Sequence, residues 1–265
     1  MTSRVLITGA AGQIGALLRA RLARPDRVLR LLDLRDVTSS PGEEAVIASI
    51  TDYPAVRAAC NEVSAIIHLA GIDHEAPWEE ILSVNVGGTR TVLEAARNAN
   101  VPRIVLASSS HAAGYYRRAS TPLPADVPAR PDSYYGFSKA AVEALGSLYS
   151  DRFGLDVAAL RIGTCRVRPP DVRALSTWLS PDDAGKLMEA CLRAPRFGYR
   201  VVWGISRNSR RWWSLSEGER LGYFPEDDAE MYAAQIGNTD PSEAWGTADL
   251  AGGLFCSIPL GGATE

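Results

Sequence analysis

Short apolar runs alternate along this chain with longer segments in which apolar residues recur every three or four positions. The runs predict β-strands at Arg4–Thr8, Arg27–Leu34, Ala65–Gly71, Arg103–Ala107, Val157–Ile162 and Tyr199–Trp203. The periodic segments predict helices at Ile14–Leu22, Tyr53–Val63 and Trp78–Asn98, and a further helix that carries Tyr135 and Lys139. Nearly continuous apolar strands that alternate with helices are typical of a parallel sheet covered on both faces. The pattern therefore predicts a doubly wound α/β fold.

The alternation changes near residue 165, after which prolines and tryptophans become frequent. We expect residues 1–165 to form the main sheet domain. Residues 166–265 are expected to form a smaller lobe over the sheet, partly interleaved with it, that includes the Tyr199–Trp203 strand. Trp212 and Trp213 in this lobe could stack on a sugar ring, but packing in a core or an interface is the favoured interpretation.

Polar residues or glycines stand at the carboxyl ends of five predicted strands. They are Thr8, Asp33, Gly71, Ser109 and Gly163. In open parallel sheets the ligand crevice lies beyond these ends. The five positions therefore predict one shared binding site.

The first strand runs directly into the glycine-rich motif Thr8-Gly9-Ala10-Ala11-Gly12-Gln13-Ile14-Gly15. Gly9 permits a tight turn, Gly12 lets the backbone approach a pyrophosphate, and Gly15 lets the first helix pack closely on the sheet. The free N–H groups of the helix N-terminus favour the negative charge of that pyrophosphate. The alternative is a turn without a ligand, which the flanking strand and helix disfavour.

Asp33 ends the second predicted strand, at the place where an acid commonly accepts hydrogen bonds from an adenosine ribose. A 2′-phosphate there would meet a like charge, so we expect NAD rather than NADP as the cofactor. Arg35 would weaken this discrimination. A carboxylate that merely caps the strand is the alternative.

Tyr135 and Lys139 are four residues apart and therefore share one helix face. Because a free tyrosine has a pKa of ~10, it acts as a base near neutrality only if nearby positive charge favours the phenolate. Lys139 and a nicotinamide ring both supply such charge, and Ser109 can hydrogen-bond the reacting oxygen. Tyr134 is the rival base, but the residue four positions after it is Ser138. Taken alone, the pair fits a solvated helix face better, but the glycine motif and Ser109 disfavour that alternative.

Composition excludes several partners for these 265 residues. The net charge of −3 gives no electrostatic reason to expect nucleic acid or an anionic membrane, and no apolar stretch approaches the length of a membrane span. Met1–Arg4 leads directly into a strand, so we expect no signal peptide. The four cysteines are scattered, which suits a reducing cytoplasm and argues against structural zinc or a disulfide framework. We expect no metal, since hydride transfer of this type needs none.

Together, Thr-Gly-x-x-Gly-x-x-Gly, Ser109 and Tyr-x-x-x-Lys resemble the extended branch of the short-chain dehydrogenase/reductase superfamily, which includes NAD-dependent epimerases and dehydratases. A narrower resemblance is to the bacterial uronate dehydrogenases and covers nearly the whole chain. The segments that carry it are Ser109–His111, Gly114–Tyr116, Asp126–Asp132, Arg161–Cys165, Arg173–Trp178 and Val201–Gly204.

This resemblance implies a Rossmann-type domain and NAD-dependent oxidation of a hexuronic acid, such as D-glucuronate or D-galacturonate, at C1 to an aldarolactone. It makes Tyr135 the base, Lys139 its electrostatic partner and Ser109 the positioning hydroxyl. Residues 1–165 would then bind NAD, and residues 166–265 the substrate. The implied cofactor contacts are Gly9, Gly12, Gln13, Ile14, Gly15, Asp33, Ser49, Ile50, Leu69, Ala70, Gly71, Asn85, Tyr135, Lys139, Ile162 and Cys165. The implied substrate contacts are Asp73, Ser109, Ser110, His111, Tyr135, Thr164 and Arg173.

Arg173 has a physical argument of its own, because a planar guanidinium binds a carboxylate through two parallel hydrogen bonds. A surface arginine is the alternative, and His111 fits a packed loop residue equally well. Ser49-Ile50, Asp73 and Ser110 depart from the family pattern of Asp-Leu, serine and asparagine. These departures affect the expected affinity and sugar preference more than the reaction type.

Two other functions stay open at this point. A nucleotide-sugar epimerase or dehydratase would retain NAD through its cycle, although about 100 residues after Cys165 favour a small substrate. A non-catalytic NAD sensor would have no need of Ser109, Tyr135 and Lys139. Because the superfamily is commonly oligomeric, we also expect a homo-oligomer.

Overall fold

A seven-stranded parallel sheet organises the computed structural model, which describes residues 3–236 and 246–262. Its strands in spatial order are β3-β2-β1-β4-β5-β6-β9. In chain order the strands are β1 Ser3–Thr8, β2 Arg27–Asp33, β3 Glu43–Ile47, β4 Ala65–His68, β5 Arg103–Ser109, β6 Asp156–Ile162, β7 Thr164–Cys165, β8 Trp178–Leu179 and β9 Tyr199–Gly204. The short β7 and β8 pair with each other outside the main sheet. This order has its switch point between β1 and β4, so the prediction of a doubly wound, Rossmann-type α/β fold is confirmed.

Helices cover both faces of the sheet. They are α1 Gln13–Leu22, α2 Tyr53–Ala59, α3 Trp78–Ile81, α4 Gly88–Asn98, α5 Tyr134–Phe153, α6 Ala174–Thr177, α7 Pro181–Arg193 and α8 Ser216–Arg220. A π-helical turn, Leu82–Gly87, joins α3 to α4, and short 3₁₀ turns span Ser110–Ala113, Ala229–Gln235 and Gly253–Cys256. Within residues 3–236 and 246–262, no helix is long and apolar enough to cross a membrane.

Two apolar clusters show why the strands are apolar on both sides. On one face, Leu18 of α1 and Leu187 of α7 pack with alternate strand residues such as Ile7. On the other face, Val92 of α4 packs with the neighbouring strand residue Leu6. Successive residues of a strand point to opposite faces, so a sheet with two buried faces needs apolar residues at nearly every strand position.

Side-chain caps fix the beginnings of several helices. Ser133 precedes α5, and its Oγ accepts a hydrogen bond from the Gly136 N–H at 2.9 Å. The helix ends at Gly154, whose φ of +71° is the left-handed conformation that glycine adopts without strain. These local signals place Tyr135 in the first turn of a long helix.

Several boundaries and elements differ from the sequence prediction. The second helix ends at Ala59 rather than at Val63, because the chain turns there and Glu62 adopts a φ of +59°. The segment predicted as one helix over 78–98 contains the π-helical turn, and the strand predicted to run to Gly71 ends at His68. Strand β3 was not predicted, since its sequence Glu-Glu-Ala-Val-Ile at the sheet edge lacks a continuous apolar run.

The segment Tyr199–Trp203 forms a strand, as predicted, and this strand belongs to the main sheet. It forms β9, which pairs in parallel with β6 as an edge strand. Trp213 is fully buried and stacks on Trp203 of this strand at 4.3 Å between ring centroids, so it belongs to a core cluster rather than to a sugar-binding surface. The division of the chain at residue 165 into two domains remains a prediction.

Candidate active site

One large cleft, of about 900 Å³, opens at the carboxyl ends of the sheet strands. This volume is typical of sites for small ligands and cofactors. We call its two regions the glycine end (residues 9–15, 33–35 and 48–51) and the tyrosine end (residues 107–111, 135–139 and 255). The predicted site residues that line the cleft are Gly9, Gly12, Gln13, Ile14, Gly15, Asp33, Ser49, Ile50, Leu69, Ala70, Gly71, Asp73, Ser109, His111, Tyr135, Lys139, Ile162, Thr164 and Cys165.

The glycine motif forms a tight turn that only glycine permits at two positions. Gly9 has a φ of +71°, and a Cβ atom there would lie 2.6 Å from the backbone nitrogen of Ala70. A Cβ atom at Gly15 would lie 2.5 Å from the Gly9 carbonyl oxygen. The turn therefore holds α1 against the sheet and leaves its N-terminus facing the cleft, as an anion-binding turn requires.

Asp33 is held at the end of β2 by two main-chain donors. Its Oδ2 accepts from the Ala11 N–H at 2.9 Å and its Oδ1 from the Arg35 N–H at 3.0 Å. The Arg35 guanidinium donates to the Ala11 carbonyl at 2.7 Å and lies 3.6 Å from the Asp33 carboxylate. The carboxylate is thus fixed beside the glycine turn, where it can accept hydrogen bonds from a ribose.

Ser49 and Ile50 form the side wall of the glycine end. The Ile50 side chain is buried against Gly88, at the start of α4. The Ser49 hydroxyl is engaged locally with the Thr51 hydroxyl at 2.7 Å. The Ser49 side chain therefore has a partner within the chain, and its role in cofactor binding remains a prediction.

Asn85 lies behind the cleft, in the π-helical turn, and fixes the loop after β4. Its amide accepts from the Ile72 N–H at 2.7 Å and donates to the Ile72 carbonyl at 3.0 Å. It also donates to the Ser138 hydroxyl of α5 at 2.9 Å. Asn85 is buried and is not among the described residues that line the cleft, so its contacts position the walls of the cleft.

A buried histidine, His68, also helps to position the walls of the cleft. His68 Nδ1 lies 2.7 Å from the Thr8 hydroxyl, and Nε2 lies 3.0 Å from the Thr89 hydroxyl. Burial lowers the pKa of His68 to about 3, and the charge of Lys139 acts in the same direction. The imidazole is therefore neutral near pH 7, and its two hydrogen bonds connect β4 to β1 and to α4.

Tyr135, Lys139 and Ser109 come together at the tyrosine end. The Lys139 Nζ lies 5.5 Å from the centroid of the Tyr135 ring and donates to the Ala107 carbonyl at 2.8 Å. Burial raises the pKa of Tyr135 to about 12, although a hydrogen bond with Ser109 acts in the opposite direction. Burial also lowers the pKa of Lys139 to about 8. In the chain by itself, desolvation therefore has the largest effect on the pKa of Tyr135, and it acts against the phenolate that the sequence led us to expect.

His111 and Phe255 enclose the tyrosine end. His111 Nδ1 lies 2.7 Å from Oδ2 of the buried Asp132. The His111 ring lies 4.0 Å from the Phe255 ring and 5.6 Å from the Tyr135 ring, as measured between centroids. Phe255 was not identified from the sequence, because it lies in an irregular C-terminal segment, and only the folded chain brings it to the site.

The other predicted substrate contacts occupy different positions. Asp73 lines the cleft with an exposed side chain that pairs with His74. The Thr164 hydroxyl lies 3.0 Å from the Thr177 hydroxyl. Ser110 and Arg173 are not among the described residues that line the cleft, and the Arg173 guanidinium donates to the Ala251 carbonyl. The binding roles of these side chains remain predictions.

Arg166 is the arginine that lines the cleft after β7, and the sequence did not single it out. Its side chain is exposed, whereas its carbonyl is fixed by the Trp178 indole N–H at 2.8 Å. No periodic pattern or motif marks this residue, because it lies in a loop.

Comparison with known proteins agrees with this geometry. Residues 5–165 match the family model of the NAD dependent epimerase/dehydratase family. The chain is 44% identical over 262 residues to a uronate dehydrogenase of Agrobacterium fabrum, with 97% of this chain and 98% of that protein covered.

Solved structures are similar over the same length. A glucuronic acid dehydrogenase from Chromohalobacter salexigens superposes with a TM-score of 0.91 at 39% identity, with 98% of each chain covered. A mutant uronate dehydrogenase from Agrobacterium tumefaciens, solved in complex with NAD, superposes with a TM-score of 0.90 at 43% identity and equal coverage.

Proposed function

Because this chain belongs to the NAD dependent epimerase/dehydratase family, we propose that it is an NAD-dependent dehydrogenase that oxidises a hexuronic acid at C1. The observation that carries the proposal is the 44% identity to a uronate dehydrogenase over 97% of the chain. The substrates are D-glucuronate or D-galacturonate in the pyranose form, and the product is the aldarolactone. A likeness of this extent includes the segments after residue 165, among them the one that carries Arg173.

The glycine end fits NAD through its main chain and one acid. The tight turn at Gly9 and the N-terminus of α1 suit a pyrophosphate, and Asp33 suits the two hydroxyls of an adenosine ribose. A 2′-phosphate at this place would meet the Asp33 carboxylate, so NAD is preferred over NADP. NAD supplies the acceptor for a hydride.

The tyrosine end carries the proton chemistry. Tyr135 takes the proton of the anomeric hydroxyl, Ser109 hydrogen-bonds the same oxygen, and the C1–H bond breaks as hydride leaves. The electron pair of the O–H bond forms the C1=O bond, and C1 keeps its ring oxygen, so a lactone results. Lys139 favours the phenolate through its charge, as does the positive nicotinamide ring.

The carboxylate of the uronate distinguishes it from a neutral sugar, and we propose that Arg173 binds it with two parallel hydrogen bonds. Substrate binding would then require Arg173 to exchange its bond with the Ala251 carbonyl for bonds with the carboxylate. Ser110, His111, Thr164 and Asp73 are proposed to contact the sugar. The carboxylate of Asp73 suits a sugar hydroxyl better than the anionic group.

A direct assay tests the function. The purified protein is mixed with NAD and either D-glucuronate or D-galacturonate, and NADH is followed by its absorbance. We expect NADH to accumulate with at least one uronate and much more slowly with D-glucose, which lacks the carboxylate. Absence of NADH with both uronates between pH 6 and 10 would refute the proposal. Conversion of a nucleotide sugar by the protein with tightly bound NAD, and without net formation of NADH, would indicate an epimerase.

We further propose that the protein is a homo-oligomer that acts in the cytoplasm. The four cysteines are free thiols, which suits a reducing compartment. Light scattering coupled to size-exclusion chromatography measures the mass of the assembly, and a mass equal to one chain would contradict the oligomer.

A further inference from the structure

Glu75 is a buried acid next to the candidate catalytic helix, and no step of the proposed reaction uses it. It lies in the loop between β4 and α3, and only 8% of its surface is exposed. Its Oε2 accepts from the Tyr135 N–H at 2.8 Å, and its Oε1 accepts from the Tyr134 N–H at 3.1 Å. The side chain thus binds the first two N–H groups of α5.

The first turn of α5 is therefore held from two sides. Ser133 accepts from the Gly136 N–H at 2.9 Å, while Glu75 accepts from the two preceding N–H groups. These donors have no partner within a helix, so each needs an acceptor from elsewhere. A carboxylate at a helix N-terminus is also favoured by the helix dipole. Because Tyr135 lies in this turn, the position of its phenol depends on how firmly the turn is held.

The same carboxylate holds the C-terminal segment. Glu75 Oε1 also accepts from the Gly261 N–H at 2.8 Å. Gly261 and Gly262 have φ values of +85° and +87°, the conformation that lets the backbone turn its N–H towards this acid. Six residues before Gly261, Phe255 covers the His111 and Tyr135 rings. Glu75 therefore connects the wall over the tyrosine end to the helix beneath it.

We propose that Glu75 is a positioning residue, which aligns Tyr135 for proton transfer and fastens the C-terminal segment over the substrate. The inference rests on the proposed function, since it takes Tyr135 as the base. The loop that carries Glu75 is fixed at its other end as well, because Asn85 hydrogen-bonds both the N–H and the carbonyl of Ile72. A displacement of the phenol by about 1 Å is enough to lower turnover by about a hundredfold.

The test uses Glu75→Gln and Glu75→Ala, with Glu79→Gln as the matched control. Glu79 undergoes the same loss of charge nearby, in α3, but its side chain is exposed. Turnover is expressed per NADH-binding site, counted by fluorescence titration, so that misfolded protein does not contribute. We expect kcat to fall about ten- to a hundredfold in Glu75→Ala and less in Glu75→Gln, which keeps one acceptor oxygen, with NADH affinity changed less than threefold.

A truncation after Leu260 separates the two contacts of the acid. It removes the Gly261 N–H and leaves the bonds to Tyr134 and Tyr135, so we expect KM for the uronate to rise while kcat changes less than in Glu75→Ala. Equal kcat values for Glu75→Ala, Glu79→Gln and the wild type would overturn the inference.

Hydrogen exchange in the substrate-free protein provides a readout that does not depend on the reaction. Glu75→Ala should speed exchange in the peptide that contains residues 134–136, and Glu79→Gln should not. If the wild type oxidised neither uronate, the proposed function would fail, and exchange would still decide whether Glu75 holds this turn. Unchanged exchange would overturn the positioning role.

Discussion

The two ends of the cleft are built in different ways. At the glycine end, a turn of eight residues and the acid of the next strand make the contacts, as in the bond from the Ala11 N–H to Asp33. At the tyrosine end, Glu75 binds Tyr135 and also Gly261, which are 60 and 186 residues further along the chain. The glycine end is thus a local structure, whereas the tyrosine end requires the whole chain to assemble.

This difference predicts separable effects. Changes at the glycine end should act on cofactor affinity, because we propose that the backbone there binds NAD. Changes at the tyrosine end should act on turnover and on substrate affinity, because we propose that the side chains there touch the reacting atoms. Three substitutions probe this separation, and a fourth tests a buried residue that belongs to neither end.

Tyr135→Phe is expected to have the largest effect. Removal of the phenol oxygen abolishes proton transfer, and kcat should fall by on the order of 10²–10⁴-fold while NADH affinity is retained. Tyr134→Phe is the matched control and should leave kcat within about twofold of the wild type. Substantial turnover in Tyr135→Phe would remove this residue as the base.

Gly9→Ala tests the glycine end. The left-handed φ of +71° and the close approach of Ala70 strain any side chain there, which costs about 1–3 kcal/mol and displaces the turn. We expect NADH affinity to fall about tenfold or more. Gly222→Ala has a φ of +89°, no neighbour within 4 Å and no place in the lining of the cleft, so it is a control for backbone strain away from the site and should leave NADH affinity unchanged. Equal NADH affinities of the two variants would show that the close packing on Ala70 is unimportant.

Arg173→Ala asks which arginine recognises the carboxylate. If Arg173 binds it, KM for the uronate should rise about ten- to a hundredfold with a smaller change in kcat, because hydrogen bonds between charged groups are lost. Arg166→Ala is the comparison, since Arg166 lines the cleft. A rise in KM confined to Arg166→Ala would transfer the role to that residue.

The smallest expected effect is a pH dependence of stability from His68. Its pKa of about 3 in the folded state lies below the ordinary 6.5. Below pH 6.5 the unfolded chain therefore binds a proton at this histidine that the folded chain does not. The free energy of unfolding consequently decreases as the pH falls towards 3. Between pH 7 and 4.5, Tm should fall about 4–8 °C less in His68→Asn than in the wild type. His74→Asn, an exposed control, should follow the wild type, and parallel curves for all three would contradict the assignment.

The sequence prediction was accurate where a feature depends on residues close together in the chain. The glycine turn, Asp33 and the Tyr135–Lys139 spacing were identifiable because each is a short pattern fixed by one turn or one helix. The six predicted strands were found for a similar reason, since buried strands are apolar at nearly every position. The edge strand Glu43–Ile47 was missed because its partly exposed residues lack that signature.

Other features required the folded chain. The π-helical turn around Asn85 has the composition of an ordinary helix, and its bonds to Ile72 and Ser138 become visible only when β4 and α5 are in place. The pKa of Tyr135 depends on its desolvation, which no spacing of residues reports.

The sequence by itself determined the parallel sheet, the glycine-rich turn and the pairing of Tyr135 with Lys139, because short-range periodicity and backbone geometry control each of them. Only the tertiary structure decided that Tyr199–Gly204 joins the main sheet and that Phe255 covers the tyrosine end. It also decided that Glu75 binds both the first turn of α5 and the C-terminal segment. These contacts join residues far apart in the chain, and the packing that forms them leaves no local pattern in the sequence.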